Sequence, residues 1–262
     1  MDFAFTTKFF FIITAAAAGL ALGSFIHTLA NGLAGGPSPL RIRSRCPTCA
    51  HPLAWHDLIP IFSYLWLRGR CKYCRQPISP SYPLSELTAA GLVLVWVLGL
   101  GLNLTSLLCL GVSLALMLVS LVDIKIGIVP NVVVYPSLAA VLILAPLFPA
   151  GSRASAGLGA GVIAAGLLLL AWLYQGLRGQ PGLGMGDVKL GALLGAVLGW
   201  HSGIYAVFLG AILGVTFNLA LLILGKISWD TKLPFAPFLS LGGLVMMLTG
   251  FGPANILFLN NL

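Results

Sequence analysis

Acidic residues are scarce in this chain: of 262 residues only six are Asp or Glu, against fourteen Lys or Arg, and charged residues make up 8% of the whole. A water-exposed globular surface needs about three times that share, so the composition excludes an ordinary soluble domain. The first apolar segment lacks both a basic leader and an Ala-x-Ala cleavage site, which excludes a cleaved secretion signal and leaves it as a retained span. What is abundant instead is apolar: 59% of residues are hydrophobic and the mean hydropathy is +1.03. The apolar stretches are long and rich in Leu, Ala and Gly rather than alternating, which selects helices over a barrel. The expected fold is therefore an all-α polytopic membrane protein. About eight transmembrane helices are expected, over residues 9–30, 84–100, 104–122, 132–148, 156–175, 187–199, 203–224 and 237–258.

The basic residues give the orientation. Arg41, Arg43, Arg45, Arg68, Arg70, Lys72 and Arg75 follow the first span, and Lys125, Arg178, Lys189, Lys226 and Lys232 fall in alternate later connections. With eight spans, twelve of the fourteen lie on one side and only Lys8 and Arg153 on the other, which assigns the rich side to the cytoplasm and both termini to the outside. Topology and headgroup attraction account for the net charge of +8, so no nucleic-acid partner is inferred from it.

The one long polar stretch, residues 31–83, contains "RCPTCAHPLAWHDLIPIFSYLWLRGRCKYCRQPISPSYP". Cys46-x2-Cys49 and Cys71-x2-Cys74 are separated by 21 residues, the spacing of two tight turns that aim four sulfurs at one tetrahedral ion. The cytoplasmic side keeps thiols reduced, so the expectation is a small cytoplasmic four-cysteine zinc-binding loop; a redox pair and metal-free packing are the competing readings. A segment this short has little core, and a structural Zn²⁺ would supply much of its folding free energy. His51 and His56 lie inside the loop but are not needed as ligands, and Trp55, Tyr64 and Trp66 are expected against lipid headgroups. Cys109 lies within a span and reads as a small buried hydrophobe.

Two of the six acids break the apolar pattern. Asp123 ends the third span in "LVDIKIGIVPN" and Asp187 opens the sixth in "GMGDVKL", which places both at the cytoplasmic end of the bundle. Ionisable groups in apolar helices are costly and mark functional sites by default. Two carboxylates at one depth share a proton, so one member deprotonates a water while the other polarises a peptide carbonyl. Gly182, Gly184 and Gly186 remove side-chain bulk ahead of Asp187, and Gly184 and Gly186 in particular are expected to let a substrate backbone approach. Competing readings are an ion-coupled transporter using the same acids, an acid favoured by a helix amino terminus, and neutralisation by Lys125 or Lys189.

Taken together, "LGSF" in the first span, the two Cys-x2-Cys pairs around "PLAWHDLIP", "RGRCKYCRQPISPSYPLSELTAA", "LVDIKIGIVPN" and "GMGDVKL" resemble the type IV prepilin peptidase family over nearly the whole chain. The resemblance implies a bacterial inner-membrane aspartyl endopeptidase that removes the basic leader of type IV prepilins or type II secretion pseudopilins at the cytoplasmic face. It implies Asp123 and Asp187 as the catalytic pair, and the pilus or secretion machinery as the setting. Residues 1–30 then form the first transmembrane helix, 31–83 the zinc loop with a methyltransferase-associated region, and 84–262 the peptidase core. Many members also methylate the new amino terminus with S-adenosylmethionine. Glu86 in "YPLSELTAA" matches them. The first span departs from them: "GSFIHT" puts His27 and Thr28 where Asn-Val is usual, and Gly32 stands where Arg is usual. His27 is the candidate replacement donor, and a peptidase-only protein is the alternative.

Overall fold

A backbone inside lipid must close its own hydrogen bonds, and this chain does so with helices. The computed structural model describes residues 3–35, 45–46, 48–179, 182–228, 231 and 233–249; Asp2, Arg41, Arg43, Asp230 and Lys232 lie outside the described residues, as do the side chains of Lys8, Trp55 and His56. In chain order the helices are α1 (Phe3–Leu33), α2 (Phe62–Trp66), α3 (Ser81–Leu100), α4 (Leu104–Ile126), α5 (Asn131–Ile143), α6 (Arg153–Arg178), α7 (Met185–Ile223) and α8 (Ala236–Thr249). Five of them, α1, α3, α4, α6 and α7, are long and apolar enough to cross a bilayer, and α5 and α8 are shorter apolar helices. The protein is a multi-pass, all-α membrane protein. Each of the eight apolar segments read from the sequence falls on a helix. The fourth ends at Ile143, where a 3₁₀ turn over Ala145–Leu147 takes over, and the eighth runs past Thr249 outside the described residues.

The chain divides into two units, Met1–Gly101 and Leu102–Leu262. In the first, α1 and α3 meet at glycines. A Cβ at Gly19 would lie 2.5 Å from Ala90 Cα, and one at Gly23 would lie 2.5 Å from Glu86 Cα. The absent side chains therefore set a near-contact between backbones, the means by which helices associate where lipid offers no hydrophobic drive. The four-cysteine segment sits between these two helices in sequence.

In the second unit α7 is the hub. A straight helix of its 39 residues would be about 58 Å long, roughly twice the ~30 Å hydrocarbon layer. Gly199 resolves this. Its backbone takes φ 75°, ψ 174°, a conformation open only to glycine, and the chain doubles back, so that a Cβ on Gly203 would lie 3.2 Å from Gly195 Cα. The result is two antiparallel arms, 185–198 and 200–223, matching the sixth and seventh apolar segments. The reversal frees the Val197 carbonyl, and the Ala150 N–H donates to it at 2.9 Å. Residues Leu190 to Gly199 are buried without interruption. Around them pack α6, whose Gly159 meets the Gly195 carbonyl, and α8, whose Gly243 meets Leu194 while Gly242 meets Ala206 on the other arm.

These contacts make a prediction. Gly159→Val drives a branched side chain into the Gly195 backbone and is expected to cost about 1–3 kcal/mol, whereas Gly157→Val, on the same helix with nothing within 4 Å, leaves stability unchanged. Thermal unfolding of the two variants in detergent, followed by circular dichroism, separates them; equal midpoints would refute the close approach.

Candidate active site

Asp123 lies in the last turns of α4. Gly127 ends that helix in the left-handed conformation (φ 64°), its N–H donating to the Asp123 carbonyl at 2.8 Å. The termination turns Val129 into the protein, where it is buried and faces the start of α7: a Cβ on Gly186 would lie 2.8 Å from the Val129 side chain. This contact sets the end of α4 against the beginning of α7, one residue from Asp187. The two carboxylates are electrostatic neighbours. Two acids separated by 63 residues of sequence thus lie in one unit, close enough to act on each other electrostatically.

Each has its own surroundings. Asp123 is 6% exposed, and its Oδ2 accepts the backbone N–H of Ala236 at 3.1 Å. Ala236 is the first residue of α8, so its N–H has no partner within the helix and the helix dipole favours the negative group it meets. Asp187 is half-buried in the first turn of α7, its N–H donating to the Gly184 carbonyl at 3.1 Å. Gly184 is exposed, and a Cβ there would lie 3.3 Å from Asp187 Oδ2. A side chain at 184 would therefore crowd the carboxylate. Gly186 has a different use, since its missing side chain is taken up by Val129. The Lys189 ammonium turns to α5, donating to Asn131 Oδ1 at 3.0 Å and lying 5.3 Å from the centre of the Tyr135 ring. It braces the start of α7 on the start of α5. The Ala236 donor left no mark in the sequence, because a backbone amide has no residue type.

In the first unit the four cysteines converge. Their sulfurs all lie within 4.8 Å of one another, and Cys46 Sγ is 3.8 Å from Cys74 Sγ. A tetrahedron of ~2.3 Å metal–sulfur bonds has sulfur–sulfur edges of about 3.8 Å, so the cluster has the dimensions such an ion requires. Two copies of one turn build it, "RCPTCAHP" and "RCKYCRQP". In each, the first cysteine's N–H bonds the carbonyl five residues on (Cys46 to His51, 3.0 Å; Cys71 to Gln76, 2.8 Å), and the residue after the second cysteine is left-handed (Ala50, φ 56°; Arg75, φ 63°). Arg45 pairs with Pro52, and Arg70 with Pro77, to close each loop. Backbone N–H groups of Cys49 and Thr48, opposed by burial, draw the Cys46 thiol down to about 6. Cys74 is raised to about 11, because burial and hydrogen bonding with the other thiols outweigh the lowering by the Gln76 N–H. A metal ion binds the thiolate forms and would displace the protons that remain. Asp57 ties the copies together, accepting from Ala54 N–H at 3.1 Å and Tyr73 OH at 3.2 Å with Lys72 at 3.8 Å, and His51 stacks on Tyr73 rather than joining the sulfurs.

Glu86 and His27 both lie where α1 packs against α3, each bonded to a residue of the other helix. Glu86 Oε2 accepts the Ile61 N–H at 2.7 Å, and its carboxylate also bonds Ser24. His27 is 0% exposed; its Nδ1 is 3.0 Å from Ser85 Oγ and its ring packs 4.0 Å from that of Tyr82, whose hydroxyl accepts from Asn31 at 3.0 Å.

Against this geometry the comparisons with known proteins are specific. Residues 17–100 match the Bacterial Peptidase A24 N-terminal domain, and residues 109–219 match the Type IV leader peptidase family. The chain is 37% identical over 210 residues to a prepilin leader peptidase/N-methyltransferase of Burkholderia pseudomallei (strain 1026b), covering 79% of this chain and 67% of that protein. It is 34% identical to the protein of the same name from Bacillus subtilis (strain 168), covering 88% and 92%, and 30% identical to that from Stutzerimonas stutzeri, covering 95% and 94%. No solved structure matches it. With both matched regions lying along the helices just described, and relatives of this name aligned over most of its length, the chain belongs to the type IV leader peptidase family.

Proposed function

We propose that this membrane peptidase cuts prepilin leaders with Asp123 and Asp187, at the cytoplasmic face of the bacterial inner membrane. Their convergence at the end of one helical unit, in a chain with six acidic residues, carries the assignment. Family membership selects proteolysis from the readings the sequence left open. One carboxylate removes a proton from water as the water oxygen attacks the scissile carbonyl, while the other, protonated, donates to that carbonyl oxygen. Collapse of the tetrahedral adduct breaks the carbon–nitrogen bond, and a proton passes to the departing amine. The Ala236 N–H holds Asp123 in one orientation. Exposed Gly184 leaves room over Asp187 for an extended substrate backbone. A prepilin or pseudopilin has a basic leader outside the lipid and an apolar helix within it, so its cleavage point comes to the same boundary as the pair, and the products pass to a pilus or type II secretion machinery.

Four thiolates of the observed spacing suit a structural Zn²⁺, held by Cys46, Cys49, Cys71 and Cys74. For N-methylation, the activity in the relatives' names, we assign Glu86 and His27. S-adenosylmethionine, when bound, supplies an electrophilic methyl group. A buried carboxylate and a buried imidazole at one helix crossing offer an anion for a sulfonium and a hydrogen-bonding partner for an amine, which fits that chemistry although His27 stands in an unusual place. Mass spectrometry of the processed pilin reads it directly. A methylated amino terminus that is lost in Glu86→Gln is expected, and an unmodified one from the parent protein makes it a peptidase alone.

Three further outcomes check these assignments. Asp123→Asn and Asp187→Asn should each slow leader removal by about 10²–10⁴-fold, and the double variant should be little slower than either, because paired groups act as a unit; near-normal cleavage by a folded single variant would refute the pair. Ala236→Pro removes one N–H at a helix position that tolerates proline, and losing a hydrogen bond to a charged group is worth about 1.5–3 kcal/mol, so cleavage should fall roughly ten- to a hundredfold while Ala236→Ser stays near normal. Metal analysis should find one zinc per chain at neutral pH, lost in Cys71→Ser. Every ligand binds as a thiolate, so zinc affinity should weaken on acidification, and most fully once the Cys46 thiol, near 6, also takes up its proton.

A further inference from the structure

The segment between the two cysteine turns is more apolar on its surface than a water-facing loop requires. Phe62, Leu65 and Trp66 are 70%, 66% and 88% exposed, and their spacing places them on one face of α2. Leu58 and Ile59 just before it are also exposed, and Ile59, Phe62, Trp66 and Leu67 line a groove together with Asp57 and Lys72. Tyr64, on the other side of α2, points inward: its hydroxyl donates to the Ile78 carbonyl at 3.4 Å and its ring covers Gly69. The tyrosine and tryptophan that the sequence placed together against headgroups are thus separated, and only Trp66 faces out.

The position of this face is held from within the first unit. Ile61, which precedes α2, has φ 59° and ψ −49°, the centre of a γ-turn in which the Phe62 N–H donates to the Pro60 carbonyl at 2.6 Å, a strained conformation that a β-branched residue adopts only when its surroundings hold it. The Glu86 carboxylate grips this turn, accepting the Ile61 N–H at 2.7 Å. Glu86 lies in the second turn of α3, an apolar helix long enough to span a bilayer. α2 is therefore fastened at the level where that span leaves the hydrocarbon. Its charge matches an anionic surface. Asp57, the one acid of the segment, is engaged by Lys72, Tyr73 and Ala54, while Arg68, Arg70 and Arg75 are exposed.

We propose that α2 is an interfacial anchor: Phe62, Leu65 and Trp66 enter the bilayer at headgroup depth and the adjacent arginines bind anionic lipid phosphates, so that the four-cysteine module is held flat on the membrane. Aromatic side chains beside arginine at the end of a span are the composition of such an interface.

The test uses the full chain in nanodiscs of three parts phosphatidylcholine to one part phosphatidylglycerol, with or without bromine near the headgroup end of the acyl chains. Subtracting the emission of Trp66→Tyr isolates Trp66, and unchanged metal content in that variant shows the module is folded. Brominated lipid should quench the Trp66 component about twofold or more, and the quenching should weaken in phosphatidylcholine alone and in Arg68→Gln/Arg70→Gln. A Trp66 component indifferent to brominated lipid overturns the proposal, and one that shifts only when a prepilin is added identifies the face as a substrate-docking surface instead. Quenching unaffected by lipid charge or by the arginine variants would refute the phosphate contacts.

Discussion

Inside a bilayer no polar group can fall back on water, and the arrangement of the helical bundle follows from that demand. The carbonyl freed where α7 reverses at Gly199 is met by Ala150. Serine and threonine hydroxyls within the helices, such as those of Ser113 and Ser120, return to the carbonyl four residues back. A carboxylate is the hardest group to satisfy. Asp123 obtains a donor only because α8 begins beside it with an N–H that its own helix cannot use. The proposed peptidase chemistry thus rests on the relation between the end of α4 and the beginnings of α7 and α8.

Glycine makes that relation reachable. Apolar helices in lipid gain little from burying one another, so they associate through close backbone contact. Gly159 against Gly195 and Gly242 against Ala206 pull α6 and α8 onto the two arms of α7. Gly186 against Val129 then brings the loop after α4 to the base of the first arm. The same glycines that pack the bundle therefore place the two acids, and Lys189 braces the arrangement from α5.

The cysteine module answers the opposite difficulty. Its residues have little core to bury, and order comes from repeated turns closing on four sulfurs, with Asp57, Tyr73 and His51 joining one turn to the other. Left-handed Ala50 and Arg75 cost about 1–2 kcal/mol each, a strain that metal binding would offset.

Much of this was legible in the residues. Hydropathy marked eight apolar segments, because lipid imposes a length that composition must meet. The cysteine spacing announced the four-sulfur cluster, because a tight turn fixes the distance between its ends. Two acids in apolar surroundings declared themselves by their cost. The sequence did not reveal the arginine-cysteine-proline turn as a device used twice with the same left-handed residue, nor that Gly186 packs while Gly184 opens space, since two glycines look alike until their neighbours are known. Nor did it indicate which way Tyr64 and Trp66 face. Residue type and local spacing determined the helices, the ligand set and the suspect carboxylates, all of which depend on neighbours close in the chain. The Ala236 donor, the turn of Lys189 toward Asn131 and the grip of Glu86 on Ile61 were decided only by the tertiary structure, because each joins a backbone or side-chain group to a partner between 25 and 113 residues away, a distance over which sequence carries no geometry.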